Sequence, residues 1–374
     1  MEINKKLILG LEKKQISKEI FEIGHSSYRS DQIWHSIYRD FISDFDEITT
    51  IPQSLIIKLK DDYIFNSIDL VLKKISEDKS TDKYLWKLRD NEYIETVLMR
   101  YDPDGHRRRR RTVCVSTQAG CALGCTFCAT GQQGFSRQLT VAEIVEQVLN
   151  VKKDVVKEKK NLVNKYSLKN DEINDLTNVV FMGMGEPLAN YENTMSSIRI
   201  LNDPKGLNIG ARHITISTVG LVPQIIKLAE EDIQVNLAVS LHAPDNITRS
   251  ETMPVNKRYP VEELIGACKE YFRKTNRKIF FEYVLLSGQN DTLEHANKLS
   301  ELLKGLLCHV NLIPVNPTAG SSLERSKHND IKNFREILLK NAISSTMRME
   351  KGIDINAGCG QLRSSYISME KKNV

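Results

Sequence analysis

From Thr112 onward the chain alternates short apolar runs with amphipathic ones, and this rhythm restricts its possible folds more than any other feature. The apolar runs are TVCVS (112–116), NVVFMGM (178–184), HITIST (213–218), QVNLAVSLH (234–242), KIFFEYVLL (278–286) and HVNLIPV (309–315). Each is short and rich in β-branched or aromatic residues, so each reads as a buried strand. Between and after them, 140–155, 192–202, 222–231, 261–275, 291–304 and 328–341 carry helical spacing. Strands separated by helices build a parallel sheet of βαβ units. The six units seen here are fewer than the eight of a closed barrel. The expected class is α/β, an open, partial (β/α)6 barrel.

The first 80 residues read differently. SYRSDQIWHSIYRDF places Tyr28, Ile33, Trp34, Ile37, Tyr38 and Phe41 near helical spacing, and SLIIKLKDDY follows Pro52 as a second helix. A helical accessory domain is therefore expected over 1–80. KYLWKLRDNEYIETVLMRY alternates on both sides of a polar turn, which predicts a β-hairpin linker within 81–106. The barrel core follows over 107–345, and a strand-like SSTMRME leads into a C-terminal piece, 346–374, with a cysteine loop. The charged stretch 152–176 reads as a solvated insertion extending the first core helix.

At 374 residues the chain has room for two domains, and 40% apolar with 27% charged residues describes an ordinary soluble protein. The longest apolar run, IFFEYVLL, is broken by Glu282, so no membrane span is expected. MEINKKLILGLEKKQ lacks the apolar core and cleavage site of a secretory signal. Seven cysteines suit a disulfide framework poorly; their clustering points to metal or redox chemistry in a reducing cytoplasm. The net charge of +5 permits an acidic partner without requiring one.

Cys121, Cys125 and Cys128 form a C-x3-C-x2-C run. Three thiolates can ligate three irons of a 4Fe-4S cluster, leaving the last iron open to a small molecule. The rival, structural zinc, wants four closed ligands, and no partner Cys-x-x-Cys or His-x-x-His pair is present. Phe127 would shield a cluster from solvent, Gly120 and Gly124 let the loop wrap closely, and Thr140 with Glu143 forms a capping box that starts the next helix.

This run with its aromatic resembles the radical S-adenosylmethionine (SAM) superfamily, in which the open iron binds SAM and an electron releases a 5′-deoxyadenosyl radical. Polar residues at the carboxyl ends of parallel strands are the expected ligand positions. Here they are Gly185 and Glu186 in MGMGEP, Ser217 in ITISTVG, Ser240, Leu241 and His242 in AVSLHAP, and Asn316 in NLIPVNP.

From about residue 25 to 365 the chain is similar to the bacterial dual-specificity rRNA/tRNA adenine C2-methyltransferases, the RlmN/Cfr family. The matching segments are IETVLMRY, CVSTQAGCALGCTFCATGQQGFSRQL, FMGMGEPLANY, ITISTVGLVP, AVSLHAP, MPVNKRYP, NLIPVNP and DINAGCGQL. The resemblance implies a 4Fe-4S cluster and two SAM molecules per turnover. Cys359 takes a methyl from the first and is activated through the second. Cys114 then releases the methylated RNA by forming a transient disulfide with Cys359. Glu95 matches the family's proton acceptor, with Cys114 the other candidate. The implied partners are 23S rRNA, tRNA and a reducing donor of flavodoxin or ferredoxin type, with the enzyme a monomer. The target base must be unstacked or flipped, and HRRRRR (106–111) is a candidate for tracking phosphates, although the run falls in a loop that varies in the family. Gly358 replaces the alanine usual before the cysteine. Cys268 and Cys308 look like core. Two alternatives stay open: a relative that methylates adenine C8 and confers antibiotic resistance, and a non-catalytic iron–sulfur RNA-binding protein.

Overall fold

The computed structural model describes residues 5–102, 109–166, 176–315 and 323–348, together with 351, 352, 354, 355, 363 and 366. The chain opens with β1 (Lys6–Leu7), α1 (Lys13–Glu22), α2 (Tyr28–Tyr38), α3 (Gln53–Asp62) and β2 (Tyr63–Ile64). The two short strands pair in parallel and so bring the ends of this helical unit together. Its core is the apolar face expected from the spacing, with Ile33, Trp34, Ile37 and Tyr38 of α2 buried against Ile16, Ile20, Leu55 and Leu59.

Next comes an antiparallel meander, β3 (Ile68–Ile75), β4 (Thr81–Leu88) and β5 (Tyr93–Tyr101). This moves an expected boundary: the helical unit ends at Asp62, and the linker hairpin is three-stranded. β3 escaped notice because it is a sheet edge with Leu70 and Ile75 exposed, and a register shift between Leu70 and Leu72 breaks its alternation.

The core continues through β6 (Arg110–Cys114), β7 (Gln118–Gly120), α4 (Ala129–Gln132), β8 (Phe135–Gln138), α5 (Val141–Tyr166), β9 (Asn178–Phe181), α6 (Tyr191–Asn202), β10 (Ile214–Thr218) and α7 (Val222–Leu228). It ends with β11 (Asn236–Ser240), α8 (Asn246–Thr252), α9 (Val261–Thr275), β12 (Ile279–Leu285), α10 (Leu293–Leu302), β13 (Cys308–Pro314), α11 (His328–Lys340) and β14 (Ser344–Met347). One ten-stranded sheet runs in the order β14-β13-β12-β11-β10-β9-β6-β5-β4-β3. Its members from β6 to β14 are parallel, and β5 joins β6 antiparallel. The expected (β/α)6 barrel is present and open, its sixth helix leading to a further parallel strand, β14. That strand begins at Ser344, two residues before the expected C-terminal piece.

Helix α9 shows the logic of the outer layer. Val261, Leu264, Ile265, Cys268 and Tyr271 recur at helical spacing and are buried on the sheet side. Glu262 and Glu263 stand in its first turn and Arg273 and Lys274 in its last, matching the helix dipole. Cys268 and Cys308 are buried in the core as expected. The basic run departs from its expected loop: Arg110 and Arg111 belong to β6 and Arg111 is buried, while Arg107 and Arg108 lie outside the described residues.

Candidate active site

The cysteine loop leaves the sheet through the small β7–β8 ribbon, whose antiparallel pairing ties off its base. Cys121 N–H donates to Gly134 O at 2.7 Å. Gly120 sits there at φ +83°, and a Cβ on it would meet Gly134 O at 2.1 Å, so only glycine fits. Within the loop Cys128 N–H donates to Cys125 O at 3.1 Å, and Thr126 N–H reaches Thr252 O at the end of α8 at 3.0 Å. Thr140 and Glu143 form the expected capping box: Thr140 N–H donates to the Glu143 carboxylate at 2.8 Å and Glu143 N–H to Thr140 Oγ1 at 3.3 Å. These bonds hold Cys121, Cys125 and Cys128 along one wall of a cavity of about 220 Å³ at the carboxyl ends of the parallel strands.

The opposite walls come from successive strand ends, and most of the expected ligand positions stand on them: Gly185, Glu186, Ser217, Ser240 and His242. Gly185, at φ +101°, leaves no room for a Cβ, which would lie 2.5 Å from the Gln118 side chain. Glu186 is buried, and its carboxylate accepts from Leu188 N–H at 3.0 Å and Val219 N–H at 2.9 Å, joining the ends of β9 and β10. Burial pushes its carboxyl up to about 7. His242 adopts a left-handed φ of +57°, unusual for a residue with a side chain. Its Nδ1 accepts from Val284 N–H at 3.0 Å, its ring meets Phe127 edge-on at 4.8 Å, and burial pushes its pKa down to about 3, so the imidazole is neutral. Phe127 thus lines the cavity against His242.

Leu241 is placed differently from the other expected positions. It is wholly buried and does not line the cavity; its N–H goes to Glu282 O, and its carbonyl accepts from Arg249. At a strand end consecutive residues face opposite ways, so Leu241 points into the core while Ser240 and His242 face the cavity. Asn316 and Cys359 lie outside the described residues.

A second cluster stands on the neighbouring strands. Cys114 ends β6, paired with Val97 of β5 and Val180 of β9. It does not line the cavity itself, although Met182, whose backbone N–H is directed at its sulfur, does. Burial pushes the Cys114 thiol up to about 11, opposed by the charges of Arg348 and Lys83. Glu95, on β5, is buried and not solvated as strand glutamates usually are. Its Oε2 lies 3.0 Å from the fully buried Lys83 ammonium, and its Oε1 accepts from Arg363 N–H at 2.6 Å. The Arg363 guanidinium reaches Glu92 at 2.8 Å and Gln133 at 2.9 Å.

Sequence reasoning missed Lys83, Arg363, Arg348 and Glu282. Glu282 had a signal, since it interrupts an apolar strand run; a lysine alternating along a hairpin strand has none. Glu282 is buried in the cavity wall, its pKa raised by burial, and one oxygen accepts from Asn311 at 2.8 Å. The other has no hydrogen-bond partner among the described residues. A buried carboxyl oxygen left without a donor in a cavity wall suits a cationic, donor-bearing ligand.

The residues also fit an iron–sulfur group. Burial pushes Cys121 up to about 11 and Cys125 to about 12, and the neighbouring thiols raise both further. The thiolate forms of Cys121 and Cys125 are therefore unfavourable here until a metal group compensates them. Among the described residues no three His, Cys, Asp or Glu side chains converge on one ion. Three cysteines on one cavity wall suit a cluster, in which each sulfur would take its own iron.

An open parallel barrel with a three-cysteine loop at its carboxyl mouth is the arrangement of a radical SAM enzyme. Comparison with known proteins agrees. Residues 165–299 match the family model of the Radical SAM superfamily, and residues 7–64 that of the ribosomal RNA large subunit methyltransferase N-terminal domain. A probable dual-specificity RNA methyltransferase RlmN of Clostridium tetani is 43% identical over 98% of both chains. A namesake from Thermotoga neapolitana is 45% identical over 96% of this chain and 97% of its own. The crystal structure of a radical SAM methyltransferase from Sphaerobacter thermophilus superposes with a TM-score of 0.87 at 43% identity, covering 95% of this chain and 98% of that one. The chain belongs to the RlmN family of radical SAM RNA methyltransferases. That superfamily implies a 4Fe-4S cluster and SAM, for which the three-cysteine cavity is the fitting site. Among the described residues no helix is long and apolar enough to cross a membrane.

Proposed function

We propose that this enzyme methylates C2 of an adenosine in the peptidyl-transferase region of 23S rRNA and of the adenosine next to the anticodon in tRNA, passing the methyl through Cys359. One observation carries the reading. Arg363, four positions beyond Cys359, is bonded to Glu95, whose strand pairs with the strand ending in Cys114. Arg363 therefore stands beside the strand that neighbours Cys114.

Adenine C2 and the SAM methyl are both electrophilic, so a nucleophile must stand between them. Cys359, as thiolate, takes the methyl from one SAM by displacement. Cluster and a second SAM, when bound at the three-cysteine mouth, supply the radical chemistry that activates that methyl for addition to C2. Lys83, 3.0 Å from Glu95, holds its side chain in position to take the C2 proton. Once the adduct has given up one electron and its C2 proton, the Cys114 thiolate attacks the Cys359 sulfur. The sulfur–carbon bond breaks, the released carbon takes a proton to become the methyl group, and the disulfide left behind is reopened by a two-electron reductant. Arg348 and Lys83 are the charges that favour the Cys114 thiolate against its burial. An external donor of flavodoxin or ferredoxin type, acting on a cytoplasmic monomer, completes the scheme.

Anaerobic turnover by Cys114→Ala with an RNA fragment containing the target adenosine tests the relay. A covalent protein–RNA adduct is expected; free methylated RNA at the wild-type rate would overturn it. Mass spectrometry of the wild-type product should find the methyl on C2, and a methyl on C8 would refute the assigned position.

A further inference from the structure

Arg249 stands on α8 with its side chain fully buried. Its guanidinium donates to Val219 O at 2.6 Å, Asn256 Oδ1 at 3.0 Å, Leu241 O at 3.1 Å, Ser240 O at 3.3 Å and Tyr259 O at 3.4 Å. Among the described residues every acceptor is a neutral oxygen. Hydrogen bonds of this kind satisfy the protons of the ion but not its charge. A buried cation without a counter-ion is among the costliest arrangements in a fold, so its anion is expected close by. Among the described residues the groups that act on its charge are the thiols of Cys125 and Cys268.

Its position identifies that anion. Val219 and Ser240, two of its acceptors, line the three-cysteine cavity. One turn further along α8, Thr252 O accepts from Thr126, inside the cysteine loop, and a Cβ on Gly124 of the same loop would stand 3.9 Å from Pro254. The helix bearing the buried cation is therefore also the helix on which the cysteine loop rests. Three thiolates are the negative charge this cation lacks, and reduction of the group they hold would add another.

We propose that Arg249 is the fixed counter-charge of the iron–sulfur site and raises its reduction potential. The inference rests on the reading of Cys121, Cys125 and Cys128 as cluster ligands. A positive charge in a low-dielectric surround stabilises the more negative, reduced state over the oxidised one. It acts without touching SAM or RNA.

The test is the midpoint potential of the anaerobically reconstituted full-length protein, followed by the EPR signal of the reduced cluster. Arg249→Met should lower the reduced-to-oxidised ratio at fixed potential at least tenfold, about 59 mV for a one-electron couple. Arg249→Lys should restore most of the shift. Arg249→Met also strips five oxygens of their donor and risks the fold. Arg249→Gln keeps an amide donor for these oxygens while removing the charge, and the midpoint should again fall. A cluster-loaded variant, Arg249→Met or Arg249→Gln, with the wild-type midpoint overturns the inference. A wild-type chain that takes up no iron–sulfur cluster instead overturns the functional reading beneath it.

Discussion

The cysteine loop and the Cys114 cluster are neighbours on one sheet, yet they are assembled in opposite ways. The loop takes its three sulfurs from positions 121 to 128, and its shape is set by bonds within the β7–β8 ribbon and one hydrogen bond to α8. The Cys114 cluster gathers Lys83, Glu95, Cys114 and Arg363 from β4, β5, β6 and the C-terminal segment, and its centre is a buried ion pair. The loop is a preformed receptacle for a group that arrives from outside. The cluster is a meeting point that exists only when distant parts of the chain are docked. The difference predicts that the two can be damaged separately.

The largest separable effect is expected at Lys83. Lys83→Met leaves the buried Glu95 carboxylate without its ammonium partner, which should cost about 3–5 kcal/mol in denaturant unfolding. The iron content of the surviving folded protein should be unchanged. Adding Glu95→Gln should recover most of the lost stability, because two neutral groups need no pairing. Parallel loss of iron would dissolve the distinction between the two regions.

Arg363→Ala comes next. It removes two charge-assisted bonds, to Glu92 and Gln133, but leaves the backbone bond to Glu95. Methyl transfer to RNA should fall about tenfold, equivalent to about 1.4 kcal/mol. SAM cleavage to 5′-deoxyadenosine should stay near wild type, and amide exchange in the C-terminal segment should quicken. Equal loss of both activities would mean that Arg363 serves the cavity and not the relay.

The smallest effect belongs to Arg109 and Arg110, both exposed and outside either region. Replacing both by alanine should flatten the salt dependence of RNA binding by about 0.7–0.9 for each phosphate that is no longer neutralised. An unchanged slope assigns those arginines to the solvated surface.

How much of this was legible follows from the same contrast. Strands with both faces buried leave an unbroken apolar run, so the barrel strands stood in the sequence to within about three residues, while α5 runs on to Tyr166 and α8 was not foreseen. The cysteine loop was equally plain, since its ligands, glycines and capping box are all local. β3 was not, because an exposed edge with a bulge loses the alternation that marks a strand. Lys83 was hidden for a different reason: whether a strand lysine is solvated or sealed against Glu95 depends on what packs over it, and here the partners arrive from as far as Arg363. Leu241 was expected at the ligand site with Ser240 and His242; its side chain is buried and does not line the cavity. Arg249, alone on a short helix, gave no sign that its charge is buried.

The most direct measurement is the metal content of purified, air-free protein, read with the EPR spectrum of its reduced form before and after SAM is added. The account predicts about four irons and four sulfides per chain and a spectrum that changes with SAM. Zinc in their place, or a reduced signal indifferent to SAM, would contradict it.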